Sequence, residues 1–272
     1  MFTAAQRNHV RDRVLELARS DPRVTAGALT GSTAIGAVDE WSDIDLAFGI
    51  ADGVIPEAVL DDWTEVFGRE FGALAHFDLP SGPTIYRVFL LPSGLEIDVA
   101  VTPHQEFGAR GPRFRALFGA TRQLEATPPP AAQYLIGLGW HHVLHARSCI
   151  ERGKPWQAEY WISGIRDHTL ALACLRLGEE AVYGRGVDRL PATVTSPVAE
   201  TLVRSLDKPE LRRALAAATA CLLGELRARD AALAARLTPL LREFGSPPAA
   251  REPVAPWSAE EPGARRLGSE RQ

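Results

Sequence analysis

Two aspartates stand two residues apart, Asp43 and Asp45, at the head of an otherwise apolar run, 43-DIDLAFGI-50. Strand propensity does not ask for Asp. On an extended chain residues i and i+2 point to one side, roughly 7 Å apart at their backbones, so both carboxylates can reach one small cation. A third, Asp98, interrupts another run that reads as buried, 95-LEIDVAV-101, and Glu96 shares its face. Carboxylates crowded together repel, so some must take up protons or a cation must neutralise them. Mg²⁺ suits such a set, because it takes oxygen ligands, keeps several waters and is commonly shared with phosphates. Upstream, the run 23-RVTAGALT-30 ends at Gly31-Ser32. Gly lets backbone approach a ligand closely, the amides that follow can cradle a phosphate, and the Ser32 hydroxyl adds a donor. Singly, Gly-Ser is an ordinary turn and Asp-x-Asp an ordinary solvated loop. In this order they form a phosphate cradle beside an acidic metal site, as a nucleoside triphosphate with Mg²⁺ requires.

The elements that must position these residues follow from periodicity. Residues 5–20 carry Val10, Val14, Leu15, Leu17 and Ala18 at helical spacing, and Asp21-Pro22 breaks the helix. Strands are predicted at 23–30 and 43–50, a helix at 56–72 opened by Pro and closed by Gly, and strands at 73–79, 84–91 and 95–101. Pro92-Ser93-Gly94 turns the last two into a hairpin. The first hundred residues thus give a mixed sheet with helices. The segment 103–119 reads as a connection whose basic cluster, 110-RGPRFR-115, lies on the surface. From 131 the period is helical, with helices expected near 131–152, 155–178, 196–205 and 208–243, the last broken once. Asp207 and Glu210 form a capping box at its start. The expected class is α+β: a mixed-sheet domain over 1–126, an all-α helical bundle over 127–245, and a Pro-, Ala- and charge-rich tail over 246–272 that reads as disordered.

Composition narrows the function classes. With 272 residues, 46% hydrophobic and 24% charged, the chain is of globular type. Its net charge of −4 argues against a protein built to coat nucleic acid. The N-terminus lacks an apolar signal-peptide core, and the longest small-apolar run, 214-ALAAATACLL-223, is far short of a bilayer span. Cys149, Cys174 and Cys221 read as buried free thiols. A cytoplasmic protein without membrane partners is expected.

The run GS-x10-DIDL followed by LEIDV resembles the nucleotidyltransferase superfamily typified by DNA polymerase beta. Within it, the chain is similar to the small bacterial enzymes that adenylylate aminoglycoside or lincosamide antibiotics. The resemblance covers about 25–101. It implies that Gly31 and Ser32 hold the triphosphate of ATP or another NTP, that Asp43 and Asp45 bind Mg²⁺ (two ions), and that Asp98 is a further metal ligand or the general base. The implied chemistry is attack by a hydroxyl of a small molecule on the α-phosphorus, with pyrophosphate released, which would make the chain an antibiotic-resistance adenylyltransferase acting as a monomer or homodimer. Related enzymes also place a base in a helical domain across a cleft. Glu159 is the candidate here, with Ser163 and Arg166 near the same face of 155–178. Lys154 and Arg166 are candidates to meet the triphosphate, and Glu96 a candidate base or extra ligand. Many minimal members carry an Arg soon after Gly-Ser, where this chain has Ala34-Ile35-Gly36.

Other features have plainer readings. His141 and His145 in 141-HHVLH-145 stand at i, i+4 without a carboxylate pair at ligand spacing, so packing or cleft-lining is expected rather than zinc. His168 reads as a hydrogen-bonded core residue and Asp61-Asp62 as a solvated helix face. Two other functions compete: adenylylation of a protein or RNA acceptor, as in toxin-antitoxin nucleotidyltransferases, and a non-catalytic nucleotide-binding module. The presence of all three aspartates speaks against the last.

Overall fold

The computed structural model of the protein describes residues 2–245; the tail at 246–272 lies outside the described residues. These residues divide after Thr127 into two compact units. In the first, α1 (Ala4–Ser20) is opened by Thr3, whose hydroxyl accepts from the Gln6 amide while the Gln6 side chain accepts from the Thr3 amide. There follow β1 (Val24–Thr30), the single turn α2 (Gly31–Ala34), β2 (Ile44–Ile50) and α3 (Pro56–Phe71). Then come β3 (Ala75–Ser81), β4 (Thr84–Leu90) and β5 (Glu96–Pro103), with short strands β6 (Gly108–Ala109), β7 (Phe114–Phe118) and β8 (Arg122–Gln123). Six of these strands form one mixed sheet in the order β3-β4-β5-β2-β1-β7. Only β2 and β5 run parallel; every other neighbouring pair in it is antiparallel.

Alternation sorts the two faces of this sheet. Leu46, Phe48 and Ile50 of β2 and Ile97, Val99 and Val101 of β5 point to one side, where they pack with Val14 of α1 and Leu60, Trp63 and Phe67 of α3. Trp63 meets Phe48 edge-on at 5.2 Å, and Phe67 lies 4.5 Å from Phe89. Each such buried side chain contributes roughly 1.5–3 kcal/mol. The opposite face is lined with small residues, Ala26, Ala28, Ala47 and Ala100, under Phe107. Small side chains let Phe107 pack closely on the sheet, and the aspartates lie on this side.

Two expectations change in this unit. The segment 103–119 is more than a connection: Phe114–Phe118 adds to the sheet as an edge strand on β1. Interleaved Arg113 and Arg115 disguise it, and an irregularity before Phe118 turns that residue to the face opposite Phe114. Asp61 and Asp62 are exposed, yet each holds an arginine. Asp62 pairs with Arg23 at 2.6 Å and Asp61 with the buried Arg87 at 2.8 Å. Arg87 also makes two hydrogen bonds to Asp78, at 2.6 and 2.8 Å, which hold the Asp78 carboxyl below its usual range.

The second unit is helical, with α4 (Ala132–Glu151), α5 (Pro155–Leu177), α6 (Ala192–Ala199), α7 (Lys208–Arg229) and α8 (Ala231–Gly245). Leu135, Val143, Ile162, Ile165, Leu215 and Leu222 are among its core residues. The helix expected at 196–205 lies at 192–199 instead, starting after Pro191, and the long final helix breaks at Asp230. Asp207 caps α7 by accepting from the Glu210 amide. Glu210 does not close the box, because Arg213 and the Arg204 amide occupy its carboxylate. The three cysteines are free, two buried and Cys221 partly so. No helix among the described residues is long and apolar enough to cross a membrane.

Unequal shielding of the two Arg87 partners yields a stability prediction. Asp78→Asn leaves a buried guanidinium short of its two-pronged partner and should cost about 2–3 kcal/mol in urea unfolding at pH 7. Asp61→Asn, on the solvent side, should cost under about 1 kcal/mol. Because folding depresses the Asp78 pKa, its contribution is present at neutral pH and fades as pH falls through the acid range.

Candidate active site

The parallel register of β2 and β5 sets Asp45 directly beside Asp98. Opposed residues on neighbouring strands share a face, so the two carboxylates stand together on the small-residue side. On the other flank of β2, Thr30 of β1 lies one step past the Leu29–Leu46 pair, and Gly31 follows it. Gly31 has φ +60°, and a Cβ there would fall 1.8 Å from Asp45 Oδ2. Gly is thus required twice over, by the left-handed backbone and by the carboxylate against it. The Gly-Ser turn and the aspartate pair, distinct in sequence, form one site.

Asp98 records the crowding. Its pKa is raised to about 6, first by burial and then by the negative charges of Asp43 and Glu96. Its Oδ1 is buried without a hydrogen-bond partner. Such an atom costs free energy unless a proton or a cation satisfies it. Asp43 precedes β2 by one residue, and Glu96 opens β5 with its side chain exposed.

These residues fit a magnesium ion of a particular kind. All donors are carboxylate oxygens, as a hard cation prefers, and one is an orphan. Among the described residues no group of three or more His, Cys, Asp or Glu side chains forms a metal cage by itself. A Mg²⁺ site needs only one or two carboxylates when phosphate oxygens and water complete the shell. The set is therefore suited to an ion shared with a phosphate-bearing ligand.

The sequence reading missed Arg7, which shapes the approach to Asp43. This side chain is only 7% exposed and donates to the carbonyls of Asp39 and Ser42, the latter at 3.0 Å. The same turn is locked locally. The Ser42 hydroxyl donates to Asp39 Oδ1 at 2.9 Å, the Trp41 amide donates to the same oxygen at 3.0 Å, and the Asp39 amide donates to Ser42 Oγ at 2.9 Å. The hydroxyl, more than any other contact, holds the Asp39 carboxyl below its usual range. The turn ends one residue before Asp43. The available signal was the place of Arg7 on the apolar face of its helix, in line with Val10 and Val14.

Glu159, Arg166 and Lys154 belong to the second unit. There Ser163 Oγ donates to Glu159 Oε1 at 2.5 Å, and Arg166 Nη2 donates to Ser163 Oγ at 2.7 Å, so the three side chains form a relay along α5. Lys154 precedes α5 with its side chain in solvent. The histidines of α4 pack among rings. His145 stacks on Trp161 at 4.8 Å and lies 4.3 Å from His141, while His142 touches both Trp161 and His168. Burial, helped by His168, pushes the His142 pKa down to about 4. His168, expected to be hydrogen-bonded in the core, is partly buried and its Nε2 has no partner, which corrects that expectation.

The fold and site together define a mixed-sheet α+β unit with a carboxylate cluster on its open face, followed by a helical unit. No family model matches the chain, and no curated protein matches it. Among solved structures, that of an aminoglycoside 6-adenyltransferase from Bacillus subtilis is similar over 90% of this chain and 99% of that one, at 13% identity and a TM-score of 0.39.

The elevated pKa gives a prediction of defined sign. An acid whose pKa rises on folding binds its proton more tightly when folded, so stability falls as pH climbs from the ordinary carboxylate value of 3.8 towards about 6. In metal-free buffer at pH 7.5, Asp98→Asn should therefore melt higher than the native protein. With allowance for solvent screening, the gain is about 1 kcal/mol, or about 2–4 °C. The difference should vanish near pH 4 and shrink when Mg²⁺ is added. A lower melting temperature for Asp98→Asn at pH 7.5 would contradict the crowding.

Proposed function

We propose that the chain is a Mg²⁺-dependent nucleotidyltransferase that moves a nucleoside monophosphate, AMP from ATP, to a hydroxyl of a small antibiotic-like acceptor. The observation that carries this reading is the apposition of Gly31 to Asp45, with Asp98 alongside on the parallel neighbouring strand. A turn open to phosphate and a carboxylate pair suited to Mg²⁺ then meet within one residue's width.

In this reading Gly31 and Ser32 hold the β- and γ-phosphates, the glycine by admitting close approach and the serine through its amide and hydroxyl. Asp43 and Asp45 hold Mg²⁺, which when bound supplies charge neutralisation at the phosphates. Asp98 takes the proton. Burial raises its pKa in the metal-free protein, which favours acceptance of a proton from an attacking hydroxyl. The acceptor oxygen bonds to the α-phosphorus as the bond to the β-phosphate bridging oxygen breaks, and pyrophosphate departs on the side of Gly31 and Ser32. Glu159 is less suited to the base role, because one of its oxygens already accepts from Ser163. Arg7 serves as a positioning residue, fixing the turn from which Asp43 emerges.

Transfer of label from α-labelled ATP tests the reading, with aminoglycosides, lincosamides, small RNAs and cell lysate offered as acceptors. Label on a small molecule, dependent on Mg²⁺ and reduced about a thousandfold or more by Asp43→Asn or Asp45→Asn, is the expected result. Label on RNA or protein would move the acceptor class to a macromolecule. Full activity in both aspartate variants would remove the metal assignment.

A further inference from the structure

The carboxylates occupy one row of a longer arrangement across the open face. Opposed pairs run from Asp45 to Asp98, from Asp98 to Val88 on β4, and from Val88 to Phe77 on β3. The adjoining rows bring Leu90 opposite Glu96 and Tyr86 opposite both Ala100 and Leu79. Phe77, Leu79, Tyr86 and Leu90 therefore share the face of the aspartates. They are 54%, 50%, 40% and 45% exposed, while Val88 among them is buried. Large apolar side chains on an edge strand beside its neighbour are a liability that proteins usually blunt, and here they lie contiguous with a catalytic-type cluster.

The order of features along this row has a chemical consequence. The Gly31-Ser32 turn lies on the β1 side of Asp45, Asp98 on the β5 side, and the apolar residues beyond Asp98. In phosphoryl and nucleotidyl transfer the attacking and leaving oxygens stand roughly in line. With pyrophosphate leaving towards Gly31 and Ser32, the attacking hydroxyl comes from the side of Asp98, and the rest of its molecule extends over β4 and β3.

We propose that Phe77, Tyr86 and Leu90 form an acceptor-binding shelf, and that the acceptor is an amphipathic alcohol with an apolar face rather than a uniformly polar polycation. This rests on the nucleotidyltransferase reading and narrows its substrate class. Apolar surface buried on the shelf would hold the acceptor while its hydroxyl meets Asp98, and an acceptor without that surface would leave the shelf uncovered.

The test uses the full chain with Mn²⁺ and α,β-methylene ATP, and a series of methyl, butyl and octyl β-glucosides below their micellar concentrations. Paramagnetic relaxation of the glucoside protons reports whether the probe sits near the metal site, and titration reports affinity. The expected result is relaxation that strengthens along the series, with affinity rising about two- to fourfold per added methylene. Both effects should be lost in Phe77→Ser/Leu90→Ser, whose exposed positions leave the core intact and the nucleotide affinity unchanged. Affinity independent of chain length, relaxation unchanged in the double variant, or a dimer that the double variant dissolves would overturn the shelf alone. Absence of any binding of Mn²⁺ with the nucleotide analogue would overturn the nucleotidyltransferase reading and the shelf with it.

Discussion

Mutual repulsion among carboxylates on one sheet face is the constraint to which the first unit answers. Parallel pairing of β2 with β5 sets Asp45 beside Asp98, and the charges of Asp43 and Glu96 at the same end of the sheet help raise the Asp98 pKa. Nothing in folding stability favours this. A buried carboxylate oxygen without a partner and a pKa lifted by burial and like charge are both unfavourable in themselves. The opposite face carries the compensation, in Trp63, Phe48, Phe67 and the aliphatic rows of β2 and β5. One sheet thus has a face of large apolar side chains and a face that carries the carboxylates beside a smaller apolar cluster.

Pre-organisation of the turn before Asp43 is supplied by residues that touch no phosphate in the proposed chemistry. Arg7 reaches from α1 to two carbonyls of the turn before Asp43, and Asp39 and Ser42 tie that turn internally. A loop fixed in this way sets the position of a charged side chain without using the side chain itself. Gly31 works by subtraction, leaving the space that the Asp45 carboxylate fills. The small residues Ala28, Ala47 and Ala100 likewise make room for Phe107, while Phe77, Tyr86 and Leu90 form an exposed apolar margin on the far side.

Part of this candidate site was legible in the sequence, because its residues violate local patterns. Asp inside apolar runs and Gly-Ser after a strand are conspicuous, and the strands they interrupt alternate cleanly. The parallel register that joins Asp45 to Asp98 was not legible, since pairing between distant strands leaves no local trace. Arg7 and Arg87 escaped notice because a buried arginine looks like any surface arginine until its partners are known. The edge strand at Phe114–Phe118 was hidden by its interleaved arginines, and the capping box of α7 failed because Arg204 and Arg213 compete for Glu210. In the helical unit, core positions followed from period alone, but the relay of Glu159, Ser163 and Arg166 required coordinates to distinguish a hydrogen-bonded group from a solvated face.

The central claim is that these carboxylates form a divalent-cation site completed by nucleotide phosphate. Mn²⁺ binding followed by electron paramagnetic resonance, with and without ATP, tests it most directly in the native protein and in Asp45→Asn. The account predicts weak Mn²⁺ binding alone, at least tenfold tighter binding with ATP, and loss of that gain in Asp45→Asn. Mn²⁺ affinity that ignores ATP, or that is the same in both proteins, would contradict it.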